Sequence, residues 1–325
     1  MKAVKFRAAA CLLAIALLAS ACSSSSGGSS QNRTIRYGIS GDLAIYWHVY
    51  VGEQMGIFAK HHVTVKKVTT RTGSATDLLA LLLGGQVDMA DVLPDPVLAA
   101  SANTSKVSVL NFTGSGAYRL VARKGITSFD QLKSLAKIKV AVSSPTTAIA
   151  GLSRLIFEQQ GISPDKLQLI VTGGTSARLA AIQSGSVDVG LLVQPADFKA
   201  QSNGLSILSD SVGQAPWYGL TDVVQSSKVK QNCSLYKDFF AALADVHTFL
   251  VDPANKTKAI DILVKGTGAT QSDAAKTYDL FLKDNAMPGI NDPTKTLQET
   301  SKMLKDLGTK SAADPAKLVN TSCSS

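Results

Sequence analysis

Residues 72–88 read TGSATDLLALLLGGQVD, and residues 172–188 read TGGTSARLAAIQSGSVD. The two segments align without a gap and share the opening Thr-Gly, a Leu-Ala pair (79–80 and 179–180) and the closing Gly-x-Val-Asp. A glycine can end a helix in the left-handed conformation, and a buried strand can start just after it. The repeat therefore predicts two similar halves, each with a helix that runs into a strand. Chance agreement between alanine-rich helices is the alternative interpretation.

The surrounding sequence alternates short β-rich apolar runs with longer helical patterns. In the first half, the order strand, helix, strand, helix, strand falls at 34–39, 46–59, 63–69, 75–84 and 87–90. In the second half, the same order falls at 139–142, 148–160, 167–171, 176–184 and 187–193. This alternation predicts an α/β fold whose sheets are mostly parallel and covered by helices. After about residue 225 only helical patterns follow, and they predict a C-terminal helical cap.

The composition describes a chain that can bury a large core. Of its 325 residues, 45% are hydrophobic and 18% are charged, which excludes a disordered or fibrous protein. The formal net charge of +9 comes from dispersed Lys and Arg residues, and only 6% of the residues are aromatic. A nucleic-acid interface needs clustered cations or aromatic stacking platforms, so the sequence argues against nucleic acid as a partner.

The N-terminus has the pattern of an export signal. Residues 1–7 are positively charged, and residues 8–19 form an almost continuous apolar run. A helix needs about 20 apolar residues to cross a bilayer, so this run is too short for an ordinary membrane anchor. We therefore predict that residues 1–21 are a signal peptide, which is removed from the mature protein.

Cleavage is expected just before Cys22. The sequence from Leu18 to Cys22 resembles the bacterial lipobox, in which small residues precede a cysteine that becomes lipid-modified. Residues 23–30 are a Ser/Gly tract of the kind that forms flexible tethers, so residues 22–34 are predicted to join a lipid anchor to the folded part. Cleavage by an ordinary signal peptidase after Ala21, without a lipid, is the alternative.

Two of the four cysteines remain once Cys11 leaves with the signal and Cys22 takes the lipid. Outside the cytoplasm, Cys233 and Cys323 would lie in a compartment where thiols can oxidise. They are candidates for a disulfide that ties the C-terminal tail to an internal helix. Two unpaired cysteines are the alternative.

Several short motifs, taken in their order and spacing, resemble one family of transport proteins. They are Glu53–Phe58 (EQMGIF), Gly85–Asp88 (GQVD), Ser128–Leu132 (SFDQL), Gly161–Asp165 (GISPD) and Gly185–Asp188 (GSVD). The chain thereby resembles the nitrate/sulfonate/taurine/thiamine-precursor substrate-binding proteins of bacterial ABC importers, over most of its mature length.

The resemblance implies the type II periplasmic-binding-protein fold. This fold is α/β, with two lobes that each hold a mixed, mostly parallel sheet with helices on both faces. Lobe one would comprise residues 35–122 and 213–325, the latter with the helical cap, and lobe two would comprise residues 123–212. The ligand would lie between the lobes, which close on it by hinge motion.

The function implied by the resemblance is the capture of a small solute for import. The protein would be a monomeric, exported lipoprotein on the outer face of the cytoplasmic membrane, and it would work with ABC permease and ATPase subunits. The solutes of the relatives indicate a small organic anion or a planar heterocycle, such as a sulfonate, nitrate, taurine or a pyrimidine. Two alternatives stay open: a biosynthetic enzyme on the same fold, of thiamine-precursor synthase or menaquinone-pathway type, and a ligand-sensing lipoprotein.

Four turns between a predicted strand and a predicted helix could hold the ligand. In open α/β sheets, ligands collect at the carboxyl ends of strands, where helix N-termini present unpaired N–H groups to an oxyanion. The turns contain Ser40 and Asp42; Thr72, Gly73 and Ser74; Ser143, Ser144, Thr146 and Thr147; and Thr172, Gly173, Gly174 and Thr175. The turn at 143–147 is preferred because its hydroxyl groups cluster, although helix capping alone would explain any single turn.

Aromatic and charged residues near the same strand ends complete the predicted site. The rings are those of Tyr46, Trp47, Trp217 and Tyr218, and the two tryptophans could stack on a flat ligand or belong to the core. The polar candidates are Asp42, Asp91 and Asp95 for ligand N–H groups, Arg71 or Arg119 for an acidic group, and Gln194 after the last strand of lobe two.

The sequence offers no recognisable catalytic or cofactor motif. It has no Gly-x-Ser-x-Gly elbow, no phosphate loop and no dinucleotide fingerprint. Its four histidines are not arranged at zinc-ligand spacing with cysteines or carboxylates. We therefore predict no catalytic residues, no metal site and no cofactor.

Overall fold

The computed structural model describes residues 33–70, 73–102, 106–210, 215–311 and 314–324. These residues form two five-stranded sheets. The strands are β1 (Arg33–Ile39), β2 (Val63–Thr69), β3 (Met89–Val92), β4 (Val107–Ser115), β5 (Arg119–Ala122), β6 (Ile138–Val142), β7 (Leu167–Val171), β8 (Val189–Leu192), β9 (Ser206–Asp210) and β10 (Gly219–Gln225). The helices are α1 (Trp47–Gln54), α2 (Ile57–Lys60), α3 (Ala75–Leu83), α4 (Pro94–Ala100), α5 (Phe129–Ser134), α6 (Ala148–Gln159), α7 (Thr175–Gln183), α8 (Ala196–Ser202), α9 (Val229–Val251), α10 (Lys256–Thr267), α11 (Gln271–Lys283) and α12 (Thr294–Asp306).

The two sheets are built to the same plan. Their strand orders are β2-β1-β3-β10-β4 and β7-β6-β8-β5-β9. In the first sheet, β1 pairs in parallel with β2 and β3, while β10 pairs antiparallel with β3 and β4. In the second sheet, β6 pairs in parallel with β7 and β8, while β5 pairs antiparallel with β8 and β9. The predicted α/β fold with two similar halves is confirmed. The sheets are mixed and not mostly parallel as predicted, because each has two parallel and two antiparallel strand pairings.

The repeated sequence falls at the same place in each half. It forms α3 and the approach to β3 in one half, and α7 and the approach to β8 in the other. Gly85 and Gly185 follow these helices with φ of 70° and 73°, a left-handed conformation that costs glycine little. This is the helix-ending role that the sequence predicts for both glycines.

The aspartates that close the two repeats lock each helix–strand turn to the neighbouring strand. The Asp88 carboxylate accepts hydrogen bonds from the backbone N–H of Arg36 at 2.9 Å and from the guanidinium of the same residue. The Asp188 carboxylate accepts the backbone N–H of Lys139 at 2.8 Å and the Arg123 guanidinium at 2.8 Å. The strands begin one residue after these aspartates, not at residues 87 and 187 as predicted, because the aspartates belong to the turns.

Helices cover both faces of each sheet. On the first sheet, one face packs against α1, α9, α10 and α11, and the other packs against α3, α4 and α12. On the second sheet, α6 packs against one face, and α7 and α8 pack against the other. The central strands β3 and β8 are buried along their whole length, as expected for strands covered on both sides.

The C-terminal helices differ from the predicted cap in one respect. Helices α9 to α11 cover the first sheet, as expected. Helix α12 also places Leu297 and Leu304 in the core of the first lobe, but its Met303 packs against the core of the second lobe. Met303 fits there because Gly151 in α6 has no side chain: a Cβ at Gly151 would lie 2.5 Å from the Met303 sulfur. Helix α12 therefore contacts both lobes.

Two chain crossovers connect the sheets, and they lie side by side. The first runs from β4 to β5 through residues 116–118, and the second runs from β9 to β10. The Gly116 N–H donates to the Tyr218 carbonyl at 3.0 Å, and the Tyr118 and Tyr218 rings pack with their centroids 5.8 Å apart. Strand β5 already belongs to the second sheet, so the second lobe begins before residue 123, the start that the sequence suggested. The reason is that β5 is held by antiparallel pairing to β8 and β9.

Helix α9 shows why the cap is part of the core. It is 23 residues long and buries one face, which includes Tyr236, Phe239, Phe240, Leu243 and Val246. Its exposed residues are mainly polar or charged, which is typical of a surface helix on a core. Across the described ranges, no helix combines the length and the apolar character that a membrane crossing requires.

A disulfide joins α9 to the C-terminal tail. Cys233 and Cys323 are bonded, with their Cα atoms 5.1 Å apart and 90 positions between them in the chain. Cys323 is buried in the core of the first lobe. Of the two alternatives left open by the sequence, the structure has the bonded one.

We expect reduction of this disulfide to lower the free energy of unfolding by about 4 to 5 kcal/mol, the chain-entropy value for a loop of this length. Urea unfolding of the oxidised and the reduced protein measures the difference. The double variant Cys233→Ala/Cys323→Ala is the control, since its unfolding should not respond to reductant. Equal unfolding free energies for the oxidised and reduced protein would contradict a stabilising role for the bond.

Candidate functional site

A cavity of about 460 Å³ lies between the two lobes. The carboxyl ends of β1, β2, β6 and β7 and the first turns of α3 and α7 meet there, as expected for parallel strands that end on one side of a sheet. Many of the predicted residues line it: Ser40, Asp42, Tyr46, Gly73, Ser74, Asp91, Ser143, Thr147, Gly174 and Thr175. Asp95, which was also predicted, lies among them.

The other predicted residues that the structure describes lie outside the cavity lining. Thr72 and Arg71 are outside the described residues. Those described but not in the lining are Trp47, Arg119, Ser144, Thr146, Thr172, Gly173, Gln194, Trp217 and Tyr218. Arg119 is paired with Asp197 at 3.2 Å instead. Gln194 is buried beside the crossovers, where its amide donates to the Ala117 carbonyl at 2.8 Å.

Of the two interpretations that the sequence left open for the tryptophans, the structure has the core for Trp47, and neither tryptophan lines the cavity. Trp47 is fully buried, donates from its indole N–H to the Ala259 carbonyl at 3.1 Å, and meets Tyr278 and Phe281 edge-on. Trp217 packs at the margin of the second-lobe core and against the Tyr218 ring. Helices α10 and α11 cover the side of α1 on which Trp47 lies. The sequence around Trp47 does not reveal this burial, because both helices come from the C-terminal part of the chain.

The cavity contains one buried cation, Arg178, which the sequence analysis missed. Its guanidinium donates to Leu191 O (2.8 Å), Gly173 O (2.8 Å), Ser143 Oγ (3.1 Å) and Thr175 Oγ1 (3.1 Å). An arginine has five N–H donors, so one N–H on Nη2 is left without an acceptor among the described residues. Burial lowers the pKa of Arg178, but a guanidinium stays protonated in proteins.

The internal repeat contains the signal that could have revealed Arg178. In the gapless alignment, Arg178 corresponds to Leu78, which is fully buried on α3. A charged residue at the core position of an otherwise matching helix is unusual, because charged side chains are rarely fully buried without a partner. Because an arginine stands where the first half has a core leucine, the second half is the one expected to provide a positive charge in the cleft.

The first turn of α7 adds backbone donors beside Arg178. Residues from Gly174 to Arg178 all line the cavity, and the N-cap residue Gly174 has no side chain with which to cap the helix. The first N–H groups of a helix have no partner within it and carry partial positive charge. In α3, by contrast, Ser74 caps the helix by accepting the Thr76 N–H at 3.2 Å. The α7 end of the cavity is therefore the positive one.

The preferred turn at 143–147 is satisfied within the protein. Thr147 donates to the Ser144 carbonyl at 2.7 Å, and Ser144 and Thr146 share a hydrogen bond at 3.1 Å. The first N–H of α6, on Ala148, points to Asp95 Oδ2 at 3.4 Å. A carboxylate of the protein, coming from the other lobe, thus stands where an oxyanion was expected.

Asp95 is a buried acid that still titrates near neutrality. Burial raises its pKa to about 6, although hydrogen bonds from the Tyr218 hydroxyl at 3.1 Å and from the Ala148 N–H act in the opposite direction. Tyr118, whose ring also lines the cavity, interacts with the Asp95 charge. At pH 7 the side chain is mainly ionised, so the cavity holds a carboxylate as well as a guanidinium.

A second group of buried acids lies beneath the first-lobe wall of the cavity. Asp222 accepts a hydrogen bond from Tyr37 at 2.6 Å, Asp91 accepts one from Thr113 at 3.0 Å, and His48 shares one with Tyr37 at 3.1 Å. Burial raises the pKa of Asp91 well above its ordinary value and that of Asp222 to about 6, and burial lowers the pKa of His48 to about 3. His48 is therefore a neutral core residue.

No group of three or more His, Cys, Asp and Glu residues in the described ranges is placed to hold a metal ion.

We expect Asp95→Asn to stabilise the unliganded protein by about 1 to 3 kcal/mol at pH 8. The folded-state pKa lies above the ordinary value of 3.8, so ionisation of Asp95 costs stability as the pH rises from 3.8 to 6. Urea unfolding at pH 8 and at pH 4 measures the effect, which should be largest at pH 8 and nearly absent at pH 4. The control is Asp130→Asn, since the Asp130 side chain is 88% exposed. A destabilised Asp95→Asn protein at pH 8 would contradict the argument.

Comparison with known proteins identifies the family and the fold of this chain. A family model described as "NMT1/THI5 like" matches residues 46–255. The chain is similar to the alkanesulfonate-binding protein SsuA of Xanthomonas axonopodis pv. citri bound to MOPS, with 14% identity, a TM-score of 0.74 and coverage of 89% of this chain and 99% of that one. It is similar to the zinc-bound ligand-binding component of an ABC-type import system from Staphylococcus aureus, with 12% identity, a TM-score of 0.73 and coverage of 90% and 98%.

A third solved structure has the same fold. The periplasmic nitrate-binding protein NrtA of Synechocystis PCC 6803 is 16% identical, with a TM-score of 0.62 and coverage of 74% of this chain and 68% of that one. A search of curated protein sequences finds no match. At these identities the solved structures show the fold alone, whereas the family model covers well over half of the chain. With its two sheets joined by paired crossovers around a cleft, the chain belongs to the NMT1/THI5-like family and has the periplasmic-binding-protein fold.

Proposed function

We propose that this protein is the solute-binding component of an ABC importer and that it captures a small organic anion in the cleft. The observation that carries the proposal is the Arg178 guanidinium, which is buried in the cleft wall with no carboxylate partner among the described residues. An uncompensated buried charge is costly, and an anionic ligand would compensate it. The uncapped first turn of α7 would add backbone N–H donors to the same anion.

The shape and lining of the cavity favour a compact anion. They do not favour an anion whose flat ring stacks on aromatic side chains. Its volume of about 460 Å³ lies in the lower half of the range for small-molecule sites, which is about 300 to 1,000 Å³. Tyr46 and Tyr118 are the aromatic residues in the lining, and neither tryptophan reaches it. Nitrate alone would leave most of this volume to water. The structural similarity to proteins named for alkanesulfonate and nitrate binding is consistent with an oxyanion group.

The crossovers suit a hinge that closes the lobes on the ligand. They are two neighbouring segments held together by the Gly116 N–H to Tyr218 carbonyl hydrogen bond. At the cleft, the Ala44 N–H of the first lobe donates to the Gln194 carbonyl of the second at 3.0 Å. Ligand contacts to both lobes would stabilise this closed arrangement, since a ligand shifts a conformational equilibrium through its differential affinity.

The proposal extends to the place of the protein in the cell. An exported lipoprotein anchored through Cys22 on the outer face of the cytoplasmic membrane would capture the solute and deliver it, as a monomer, to permease and ATPase subunits. The N-terminal signal pattern and the Ser/Gly tract support this location. No catalytic residue is assigned. In the described residues, the lining of the cavity contains Ser and Thr hydroxyls and Asp carboxylates but no His, Cys, Lys or Glu side chain.

The direct experiment is a binding screen on the mature chain from residue 22, with Cys22→Ser to prevent lipidation. The panel contains alkanesulfonates, aminoalkanesulfonates, nitrate, short carboxylates and pyrimidines. A ligand that binds only the folded state raises the melting temperature by mass action, and calorimetry then gives its Kd. Binding of an organic anion without turnover supports the receptor. Consumption of the ligand over time would favour the enzyme alternative, and a transcriptional response to the ligand without uptake would favour the sensor.

Arg178→Met should weaken the binding of the best anion by about 10- to 100-fold, because a hydrogen bond to a charged group contributes about 1.5 to 3 kcal/mol. Calorimetry measures the loss. Arg119→Met is the matched control: it removes an arginine of the same lobe that is paired with Asp197 and lies outside the cavity lining. The control should retain wild-type affinity. Equal losses in the two variants would mean that Arg178 acts through the fold and not through the ligand.

Cys22→Ser in the full-length protein should move it from the membrane fraction to the soluble extract and abolish labelling with radioactive palmitate. Cys22 lies outside the described residues, so this expectation rests on the sequence. Cys11→Ser, a change within the apolar run of the signal, is the control and should leave both readouts unchanged. A wild-type protein that takes up no label would instead favour ordinary cleavage after Ala21.

A further inference from the structure

The cavity has a second polar pole besides Arg178, and it is acidic. Asp95 stands at the start of α4, is 5% exposed and lines the cavity. Its carboxylate accepts the Tyr218 hydroxyl at 3.1 Å and the Ala148 N–H at 3.4 Å. A carboxylate has about four acceptor positions, so about two remain open. Asp42, which is exposed, and Asp91, which is buried, are the other two acids of the same lining on the first-lobe side.

A hydroxyl without a partner among the described residues lies at the same place. Tyr118 is 3% exposed as a residue and lines the cavity. Its hydroxyl makes no hydrogen bond to any described residue and is not one of the fully buried polar atoms. The Tyr118 hydroxyl interacts electrostatically with both Asp95 and Arg178. A hydroxyl at a cavity wall that has no protein partner can bind a ligand or a water molecule. Tyr118 therefore marks a polar contact point between the acidic and the cationic pole.

The two poles do not neutralise each other. Within the described residues, the hydrogen-bond partners of Arg178 are all neutral atoms of the second lobe, and those of Asp95 are a tyrosine hydroxyl and a backbone N–H. A buried guanidinium and a buried carboxylate that do not pair with each other are each left without a partner of opposite charge. A ligand with one charge for each pole would satisfy both at once, whereas a simple anion would satisfy only Arg178.

We propose that the ligand carries, besides the anionic group bound at Arg178 and the first turn of α7, an N–H donor that binds Asp95 and Tyr118. The inference rests on the proposed function and narrows it. The substrate class is a small zwitterion, or an anion with an amine or ring N–H, and not an alkyl anion or a bare inorganic oxyanion. Asp95 is then the residue that determines specificity, and Arg178 is the residue that binds the anionic group common to all the ligands.

The test compares ligands that differ only in the amine. The pairs are 2-aminoethanesulfonate and ethanesulfonate, 3-aminopropanesulfonate and propanesulfonate, β-alanine and propionate, and 4-aminobenzenesulfonate and benzenesulfonate. Calorimetry at pH 8 on the mature chain with Cys22→Ser gives each Kd. We expect the amine-bearing member of at least one pair to bind 10-fold or more tightly than its partner. Asp95→Asn should abolish that difference, which is measured as the ratio of the two Kd values within each protein and so does not depend on a general change in affinity.

The outcomes separate this inference from the proposed function. If the members of every pair that binds do so equally well, or if the member without the amine binds more tightly, the anion receptor stands and the amine pole is overturned. If no member of any pair binds, the proposed function fails and the inference fails with it. Tyr118→Phe is the second variant: it removes only the hydroxyl and should reduce the preference for the amine part of the way. An unchanged preference in both Asp95→Asn and Tyr118→Phe would also overturn the inference.

Discussion

A guanidinium buried between strand ends without a carboxylate is the constraint on which the cleft of this protein depends. Arg178 is held by four acceptors from different parts of the second lobe: the end of β6, the turn after β7, strand β8 and the first turn of α7. These bonds fix its position before any ligand arrives, and preorganised donors of this kind give a binding site its selectivity. They also leave its charge uncompensated. The same residue therefore holds together the ends of three strands and, in the proposed function, binds an anion.

The two halves of the chain show how a repeated fold acquires one charged side. In both halves a helix ends at a left-handed glycine, and an aspartate in the turn binds the neighbouring strand, so Asp88 and Asp188 do the same structural work. At the position of Arg178 the first half has Leu78, which is buried in the core. The backbone plan is thus shared, while the chemistry of the cleft comes from a single exchange of an apolar for a cationic side chain. Repeated structural turns and the position of the buried cation are interleaved within the same 17 residues.

The sequence predicts the fold more fully than the site, for physical reasons. Helix and strand patterns depend on local periodicity, so the α/β alternation and the convergence of turns such as Gly73–Ser74 and Gly174–Thr175 at one cleft could be predicted. Whether a turn is open to a ligand depends on partners far away in the chain. The hydroxyl cluster at 143–147 is satisfied locally, and its helix N-terminus faces Asp95, a residue of the other lobe. Trp47 illustrates the same limit, because α10 and α11, far along the chain, decide that its ring is buried.

Asp95 connects recognition, closure and stability in one side chain. It belongs to the first lobe, accepts an N–H from α6 in the second lobe, and accepts the hydroxyl of Tyr218 from a crossover between them. Any change in its charge or hydrogen bonding is therefore felt by both lobes and by the hinge. Burial raises its pKa, so the protein gives up stability near neutral pH to keep this carboxylate in the cleft. An asparagine would remove this cost, so the carboxylate of Asp95 is a residue at which stability and the proposed binding of a ligand N–H donor act in opposite directions.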